Sequence, residues 1–119
     1  MRTSDEHAAP SRAHPAPPEH ERLAVAANVF ALLSDPTRLH LLWTLAEGEA
    51  DVGRLTEACG ASRTAVSQHL AKLRLAGLVE SRKQSRNVIY RLRDGHLRLL
   101  VMEALNHADH VVTGEPFHD

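Results

Sequence analysis

The sequence lacks the features of a disulfide-stabilised or membrane-spanning protein. It has one cysteine, Cys59, which excludes an internal disulfide framework and a cysteine-rich metal site. No apolar run approaches the roughly 18 residues of a transmembrane helix, and the first residues lack the apolar stretch of a secretory signal. Six glycines and six prolines in 119 residues are too few for a collagen-like or wholly disordered chain. We therefore expect one globular domain that works in the cytoplasm.

Basic residues are scarce outside one stretch of the chain. Residues 1–60 carry 5 basic against 9 acidic side chains, residues 61–93 carry 8 against the single Glu80, and residues 94–119 carry 1 against 5. The net charge of −1 therefore conceals a middle segment with eight positive charges against one negative. Such a segment is typical of a protein that binds a polyanion, although a solvated face balanced by acidic neighbours would have the same composition.

Composition also divides the chain into a domain and two tails. Residues 1–18, rich in alanine, proline and histidine, are predicted to be a flexible N-terminal tail. Residues 19–112 are predicted to form the domain, and residues 113–119 a flexible C-terminal tail. Apolar residues at three- and four-residue steps predict a helix over 19–33 and a second over 36–46. The second helix is expected to begin at an Asp35 cap and to bury Leu39, Leu42, Trp43 and Leu45.

Two short predicted helices joined by a glycine-containing turn form a helix-turn-helix signature. Asp51 is expected to cap the first, over 52–58, and Ser62 to cap the second, which ends near Gly77. Two strand-like runs, 78–82 and 88–93, then flank a polar, basic hairpin tip. A last helix is expected from about Asp94 to Val112. This order predicts a mainly α fold with a small β-hairpin wing, a winged helix-turn-helix.

The helix that begins after Ser62 has the pattern of a DNA-reading helix. On a helical wheel, Val66, Leu70 and Leu73 share one side, which must face the core. The other sides carry hydrogen-bond donors and cations that can contact base edges and phosphates. An ordinary polar surface helix would look similar, but the preceding helix, the turn and the basic hairpin together favour double-stranded DNA as the partner. The candidate DNA-binding residues are Arg63, Thr64, Ser67, Gln68 and Lys72 on the helix and Arg82, Lys83, Gln84 and Arg86 on the hairpin.

Two segments resemble the ArsR/SmtB family of bacterial winged-helix repressors. They are LSDPTRL at 33–39 and SRTAVSQHLAKL at 62–73, the latter followed by AGLV at 76–79. The resemblance covers about residues 22–112. It implies a homodimer that reads a palindromic operator, with the first and last helices of each subunit forming the interface. The last helix supports a dimer independently, because apolar residues cover nearly its whole girth and need a partner on more than one side.

The last helix also carries potential metal ligands, namely Asp94, His96, His107 and His110. His96 and His107 are about 16 Å apart along a helix, too far for one ion to bridge. The ligands can meet if two copies of the helix pack antiparallel, so that Asp94 and His96 of one subunit approach His107 and His110 of the other. This spacing is similar to the interfacial site of the family's zinc-sensing and nickel- or cobalt-sensing members. The resemblance therefore implies a repressor that a divalent transition metal releases from its operator.

Histidines in the tails bear on which metal is expected. His118 is the first candidate for an additional ligand, and His7, His14 and His20 lie in or beside the other tail. A tail ligand would complete a six-coordinate site, which favours Ni(II) or Co(II), whereas the four helix ligands alone suit Zn(II). The cysteine pair by which other family members sense thiophilic metals is absent from the third helix, and Cys59 is expected to be a small buried residue.

Two other functions remain open at this point. The last helix could serve only for dimerisation, with a partner protein as co-regulator. A zinc hydrolase that uses the histidine and aspartate cluster is the other alternative. That chemistry needs an open coordination position in a cleft, and the sequence has no nucleophile motif and no phosphate loop. We therefore expect that the chain is not an enzyme.

Overall fold

A computed structural model describes residues 19–114 of the chain. Over that range the helices and strands are α1 (His20–Leu33), α2 (Pro36–Glu47), β1 (Ala50–Asp51), α3 (Val52–Cys59), α4 (Arg63–Leu75), β2 (Val79–Gln84), β3 (Asn87–Leu92) and α5 (Gly95–Thr113). The chain falls into two compact units, the first ending at Ala31 and the second beginning at Leu32. Most of α1 therefore belongs to one unit, and the other elements belong to the second. None of these helices is long and apolar enough to cross a membrane.

Side-chain caps determine where the helices of the second unit begin. Four cap residues with extended backbone each accept a hydrogen bond from the backbone N–H three positions later, at 2.9 to 3.1 Å: Asp35, Asp51, Ser62 and Asp94. Each cap gives a partner to one of the N–H groups that a helix start leaves without one. The caps predicted at Asp35, Asp51 and Ser62 are confirmed.

The turn between α3 and α4 depends on Gly60. Its backbone is left-handed, with φ 68° and ψ 15°, and its N–H donates to the carbonyl of Thr56 at 3.0 Å. Glycine adopts this conformation without the steric cost that a side chain would incur. Residues 60–62 then lead directly into α4. The predicted helix-turn-helix, with a glycine in its turn, is confirmed.

The wing is a three-stranded antiparallel sheet in the order β1-β3-β2. Strands β2 and β3 pair from Val79 with Leu92 to Gln84 with Asn87, which leaves residues 85–86 as a two-residue turn. The turn is shorter than predicted because residues 83 and 84 extend β2 and residue 87 begins β3. Strand β1, which pairs with β3 through residues 50 and 51, was not predicted. Two residues are too few to show an alternating pattern.

The core of the second unit lies between α2, α3, α4, α5 and the sheet. On α4 the predicted inner side chains are all fully buried: Val66, Leu70 and Leu73. The prediction for α2 was partly wrong, because Trp43 is 37% exposed and Leu39 is only half-buried, whereas Leu41 is fully buried. Apolar residues surround much of α2, so that periodicity alone did not distinguish Leu41 from Trp43.

Candidate nucleic-acid interface and metal ligands

The exposed face of α4 brings together the residues that the sequence predicts to contact DNA. All five are solvent-exposed: Arg63, Thr64, Ser67, Gln68 and Lys72. The first four, together with Ala71, line an open depression on the surface. Because the opposite side of α4 is completely buried, the helix cannot rotate without disrupting the core. The fold therefore presents a polar, cationic helix face in a fixed orientation.

The start of α4 adds a favourable site for an anion. The Ser62 hydroxyl accepts the N–H of Ala65 at 3.1 Å, and the first turn contains no acidic residue. Other N–H groups at a helix start point outward, and the helix dipole places partial positive charge there. A phosphate group is the ligand that this arrangement attracts.

His69 faces away from the exposed side of α4. It is half-buried, and its Nε2 lies 3.8 Å from Oδ2 of Asp35, the cap of α2. The backbone hydrogen bond from Arg38 lowers the pKa of Asp35, and the nearby His69 contributes to that lowering. The side chain of His69 thus belongs to the contact between α4 and the start of α2.

One face of the wing holds a charge cluster of Glu49, Glu80, Arg82 and Arg91. Nη1 of Arg82 donates to Oε2 of Glu49 at 2.9 Å, and its Nη2 donates to Oε1 of Gln84 at 3.1 Å. Arg91 donates to Oε1 of Glu80 through Nε at 3.2 Å and Nη2 at 2.9 Å. The hydrogen bond from Arg82 lowers the pKa of Glu49, and the positive charge of Arg91 adds a smaller lowering. Two of the wing's arginines are therefore neutralised by carboxylates.

The tip of the wing differs from this charge cluster in the partners of its cationic side chains. Lys83 and Arg86 are exposed and, in the part of the chain that the structure describes, form no ion pair with a carboxylate. Sequence reasoning placed Arg82 in the same group as these tip residues and missed its partner. Glu49 lies 33 positions before Arg82, and only the pairing of β1 with β3 brings the two together.

The predicted metal ligands lie near the two ends of α5. His96 and His107 are exposed and His110 is half-buried. Oδ1 of Asp94 accepts the N–H of Leu97 at 3.0 Å, so Oδ2 is the oxygen that can serve as a ligand. Within residues 19–114 of one chain, no three histidine, cysteine, aspartate or glutamate side chains are grouped closely enough to hold a metal ion. Residues 19–114 of a single chain therefore do not assemble such a cluster.

The donor set nevertheless fits a transition metal. Three imidazoles and one carboxylate are ligands that Zn(II), Ni(II) and Co(II) accept. His118, the predicted additional ligand, lies outside the described residues, as do His7 and His14, whereas His20 is exposed at the start of α1.

Arg98 connects the beginning of α5 to the end of α2. Its Nε donates to the carbonyl oxygen of Ala46 at 2.9 Å, across 52 positions of sequence. Ala46 belongs to the last turn of α2, whose carbonyls have no partner within the helix. Nothing in the local sequence identifies this contact, because it joins residues that are distant along the chain.

Cys59 lies at the end of α3 and is half-buried. Burial raises the pKa of its thiol, and a hydrogen bond with Thr44 opposes that rise. The thiol is therefore the prevailing form at neutral pH, which disfavours nucleophilic chemistry at this residue.

Known proteins resemble this chain along most of its length. The family model for bacterial regulatory proteins of the arsR family matches residues 35–81. KmtR, a helix-turn-helix-type transcriptional regulator of Mycobacterium tuberculosis, is 41% identical over 104 residues, which span 87% of this chain and 80% of that protein. SmtB, a helix-turn-helix-type transcriptional repressor from the same species, is 38% identical over 94 residues, which span 79% of this chain and 70% of the repressor.

The fold has a solved counterpart as well. A homodimeric winged helix-turn-helix DNA-binding domain from Mycobacterium bovis, described as a possible ArsR-family transcriptional regulator, matches with a TM-score of 0.72. It is 29% identical to this chain, and the match covers 83% of this chain and 92% of that domain. The predicted winged helix-turn-helix fold is confirmed.

Proposed function

The chain belongs to the ArsR family of bacterial regulatory proteins, and from that premise we propose that it is a homodimeric repressor controlled by a divalent transition metal. Its relatives are transcriptional regulators and not enzymes, in agreement with the expectation from sequence. The observation that carries DNA binding is the rigid α4, with a fully buried apolar side and a fully exposed polar side. As a regulator of bacterial genes, the protein would work in the cytoplasm.

We assign sequence reading to the N-terminal half of α4. Arg63 can donate two hydrogen bonds to a guanine edge in the major groove, and Gln68 can donate one and accept one at an adenine edge. Thr64 and Ser67 can contribute further polar contacts. Lys72 lies a turn further along and suits a phosphate. Lys83 and Arg86 at the tip of the wing, with Gln84 and Arg82 behind them, suit the sugar-phosphate backbone.

A second copy of the chain is the proposed cover for the exposed apolar side chains of α5. Leu99 is 60% exposed and Val112 is 84% exposed, although both lie on a well-formed helix. In its own unit, α1 likewise exposes Leu23 and Phe30. We propose that the first and last helices of two subunits cover one another. Two α4 helices related by a twofold axis would then read the two halves of a palindromic operator.

Asp94 and His96 of one subunit, with His107 and His110 of the other, are the proposed metal ligands. The observation that supports a shared site is that these residues lie at opposite ends of α5 and do not gather within one chain. When bound, the metal would supply a coordinate crosslink between the two subunits. Participation of His118 would favour Ni(II) or Co(II), and a site without it would favour Zn(II). Coupling between metal and DNA is reciprocal, so release of DNA by metal requires that DNA also weaken metal binding.

The test is DNA binding measured with and without metal. We expect wild-type protein to bind a duplex selected from a random pool, and to release it when Ni(II), Co(II) or Zn(II) is added. The double variant His107→Ala/His110→Ala should bind the same duplex in the absence of metal and lose the response to metal. The variant His40→Ala, which removes an exposed histidine of α2, is the matched control and should respond normally.

Two results would contradict the proposal. If the double variant still responds to metal, the ligands are assigned wrongly. If wild-type protein binds DNA and none of the three metals alters that binding, regulation by a partner protein becomes the better explanation. Absorption spectra of the Co(II) complex separate the metal classes, because intense visible bands indicate a four-coordinate site, and weak bands that intensify in His118→Ala indicate a tail ligand.

A further inference from the structure

We propose that Glu49 competes with DNA phosphate for Arg82, so that the wing engages DNA fully only after this ion pair opens. This inference rests on the DNA-binding part of the proposed function. It assigns to Glu49 an attenuating role in DNA binding, although Glu49 itself contacts no DNA in this scheme. The alternative role for the same residue, holding Arg82 in a DNA-binding position, predicts effects of opposite sign.

The pairing register shows how Arg82 is held. Ile89 of β3 lies directly opposite Arg82 on one side and Asp51 of β1 on the other. Arg82 therefore reaches across β3 to the residue that precedes Asp51 by two positions, which is Glu49. The guanidinium lies along the face of the sheet, and Gln84 on the same face accepts its second hydrogen bond. This is a different placement from that of a side chain extended toward a DNA backbone.

The ion pair is accessible enough to exchange partners. The side chains of Arg82 and Glu49 are 50% and 42% exposed, so solvent and phosphate can reach both groups. Ion pairs at such exposed positions are weak, whereas a guanidinium and a phosphate form a well-matched pair of hydrogen bonds. A phosphate that takes the Nη1 donor of Arg82 must displace Glu49, and one that binds elsewhere on the guanidinium must tolerate the negative charge of Glu49 nearby.

The neighbouring arginines keep the carboxyl group of Glu49 ionised. Arg82 and Arg91 both favour the ionised form of Glu49, and Arg91 is itself bound to Glu80 at 2.9 Å. The cluster as a whole carries two positive and two negative charges. Lys83, at the tip of the wing, has no such acidic partner in the described residues. The wing thus has cations at its tip that can bind phosphate directly, and two arginines nearer its base that are paired with carboxylates.

The experiment compares Glu49→Gln with Glu47→Gln in binding to duplex DNA over a series of salt concentrations. Glu47 is exposed, lies two positions away and forms no ion pair in the described part of the chain, so its replacement controls for the loss of one negative charge. We expect Glu49→Gln to tighten binding by about two- to fivefold per subunit more than the control does. Its salt dependence should also steepen by up to about one unit per subunit.

A second pair of variants separates competition for Arg82 from the general effect of removing a negative charge. In an Arg82→Gln protein, the additional gain from Glu49→Gln should disappear, because the contested cation is gone. Weaker binding by Glu49→Gln, or a gain no larger than that of Glu47→Gln, would overturn the inference. Failure of wild-type protein to bind duplex DNA at all would instead overturn the proposed function. Thermal unfolding of each variant checks that the fold is retained.

Discussion

The hydrogen bond between Arg98 and Ala46 allows a quantitative prediction about the stability of the fold. Ala46 is 5% exposed, and its carbonyl lies in the last turn of α2, where no later residue of the helix can donate to it. Nε of Arg98 fills that role at 2.9 Å and places a positive charge at the negative end of the helix dipole. The variant Arg98→Met removes the donor and the charge while retaining most of the apolar stem.

The expected cost follows from the two interactions lost. A buried carbonyl left without a donor costs about 1–3 kcal/mol, and loss of the favourable charge at a helix end adds about 0.3–1 kcal/mol. Because Arg98 is exposed to solvent, water can replace part of the lost bond. We therefore expect a loss of about 1–2 kcal/mol in the free energy of unfolding.

Urea denaturation measures this loss directly. With an m-value of roughly 2 kcal/mol/M, the midpoint should fall by roughly 0.5–1 M without a change in slope. Wild-type and variant must be compared at one protein concentration, because dimerisation contributes to apparent stability. Arg54→Met is the control, since Arg54 is exposed on α3 and its guanidinium has no hydrogen bond in residues 19–114. Equal midpoints for the two variants would refute the reasoning.

Three further predictions concern the core, the DNA interface and pH. Leu70→Ala should lower the free energy of unfolding by about 2–5 kcal/mol, because Leu70 is fully buried; a urea midpoint close to that of wild type would contradict the packing described for α4. Gln68→Ala should weaken binding to the selected operator by about 1–3 kcal/mol and leave binding to random duplex unchanged. Lys72→Ala should weaken both and reduce the salt dependence by about one unit, and equal profiles for these two variants in a fluorescence anisotropy titration would argue against their assigned roles. Asp35 has a lowered pKa, chiefly because of the backbone hydrogen bond that it accepts from Arg38, so its stabilising effect is present above its unfolded pKa of about 4 and is lost as the pH falls through its folded pKa. Asp35→Asn keeps a capping group without the charge, and its melting temperature should fall less than that of wild type on acidification below about pH 4; parallel curves would contradict this.

Local chemistry explains which features could be predicted from sequence. The two faces of α4 follow from a 3.6-residue period, and the caps at Asp51 and Ser62 follow from side chains that bond to nearby backbone. The turn at Gly60 is local as well, since it depends on the conformational freedom of one residue. Each of these signals spans only a few consecutive positions, which is why a single sequence was sufficient.

Features that depend on contacts between residues distant in sequence could not be predicted. Strand β1 exists because two residues find a partner in β3, and Glu49 meets Arg82 only as a result of that pairing. The choice between Leu41 and Trp43 on α2 likewise depends on where neighbouring elements pack. The proposed metal ligands on α5 stand out in the sequence because of their types and spacing, whereas the proposed site needs a second chain.

Residues 46–51 form a short segment that joins the helix carrying the proposed metal ligands to both DNA-binding elements. The carbonyl of Ala46 receives Arg98 from α5, Glu49 binds Arg82 of the wing, and Asp51 caps α3 of the helix-turn-helix. The Arg98 hydrogen bond is thus a direct link between the start of α5 and the end of α2. Glu49, which binds Arg82, lies between that end of α2 and β1. Within one subunit, these contacts form a continuous path from α5 to the helix-turn-helix and the wing.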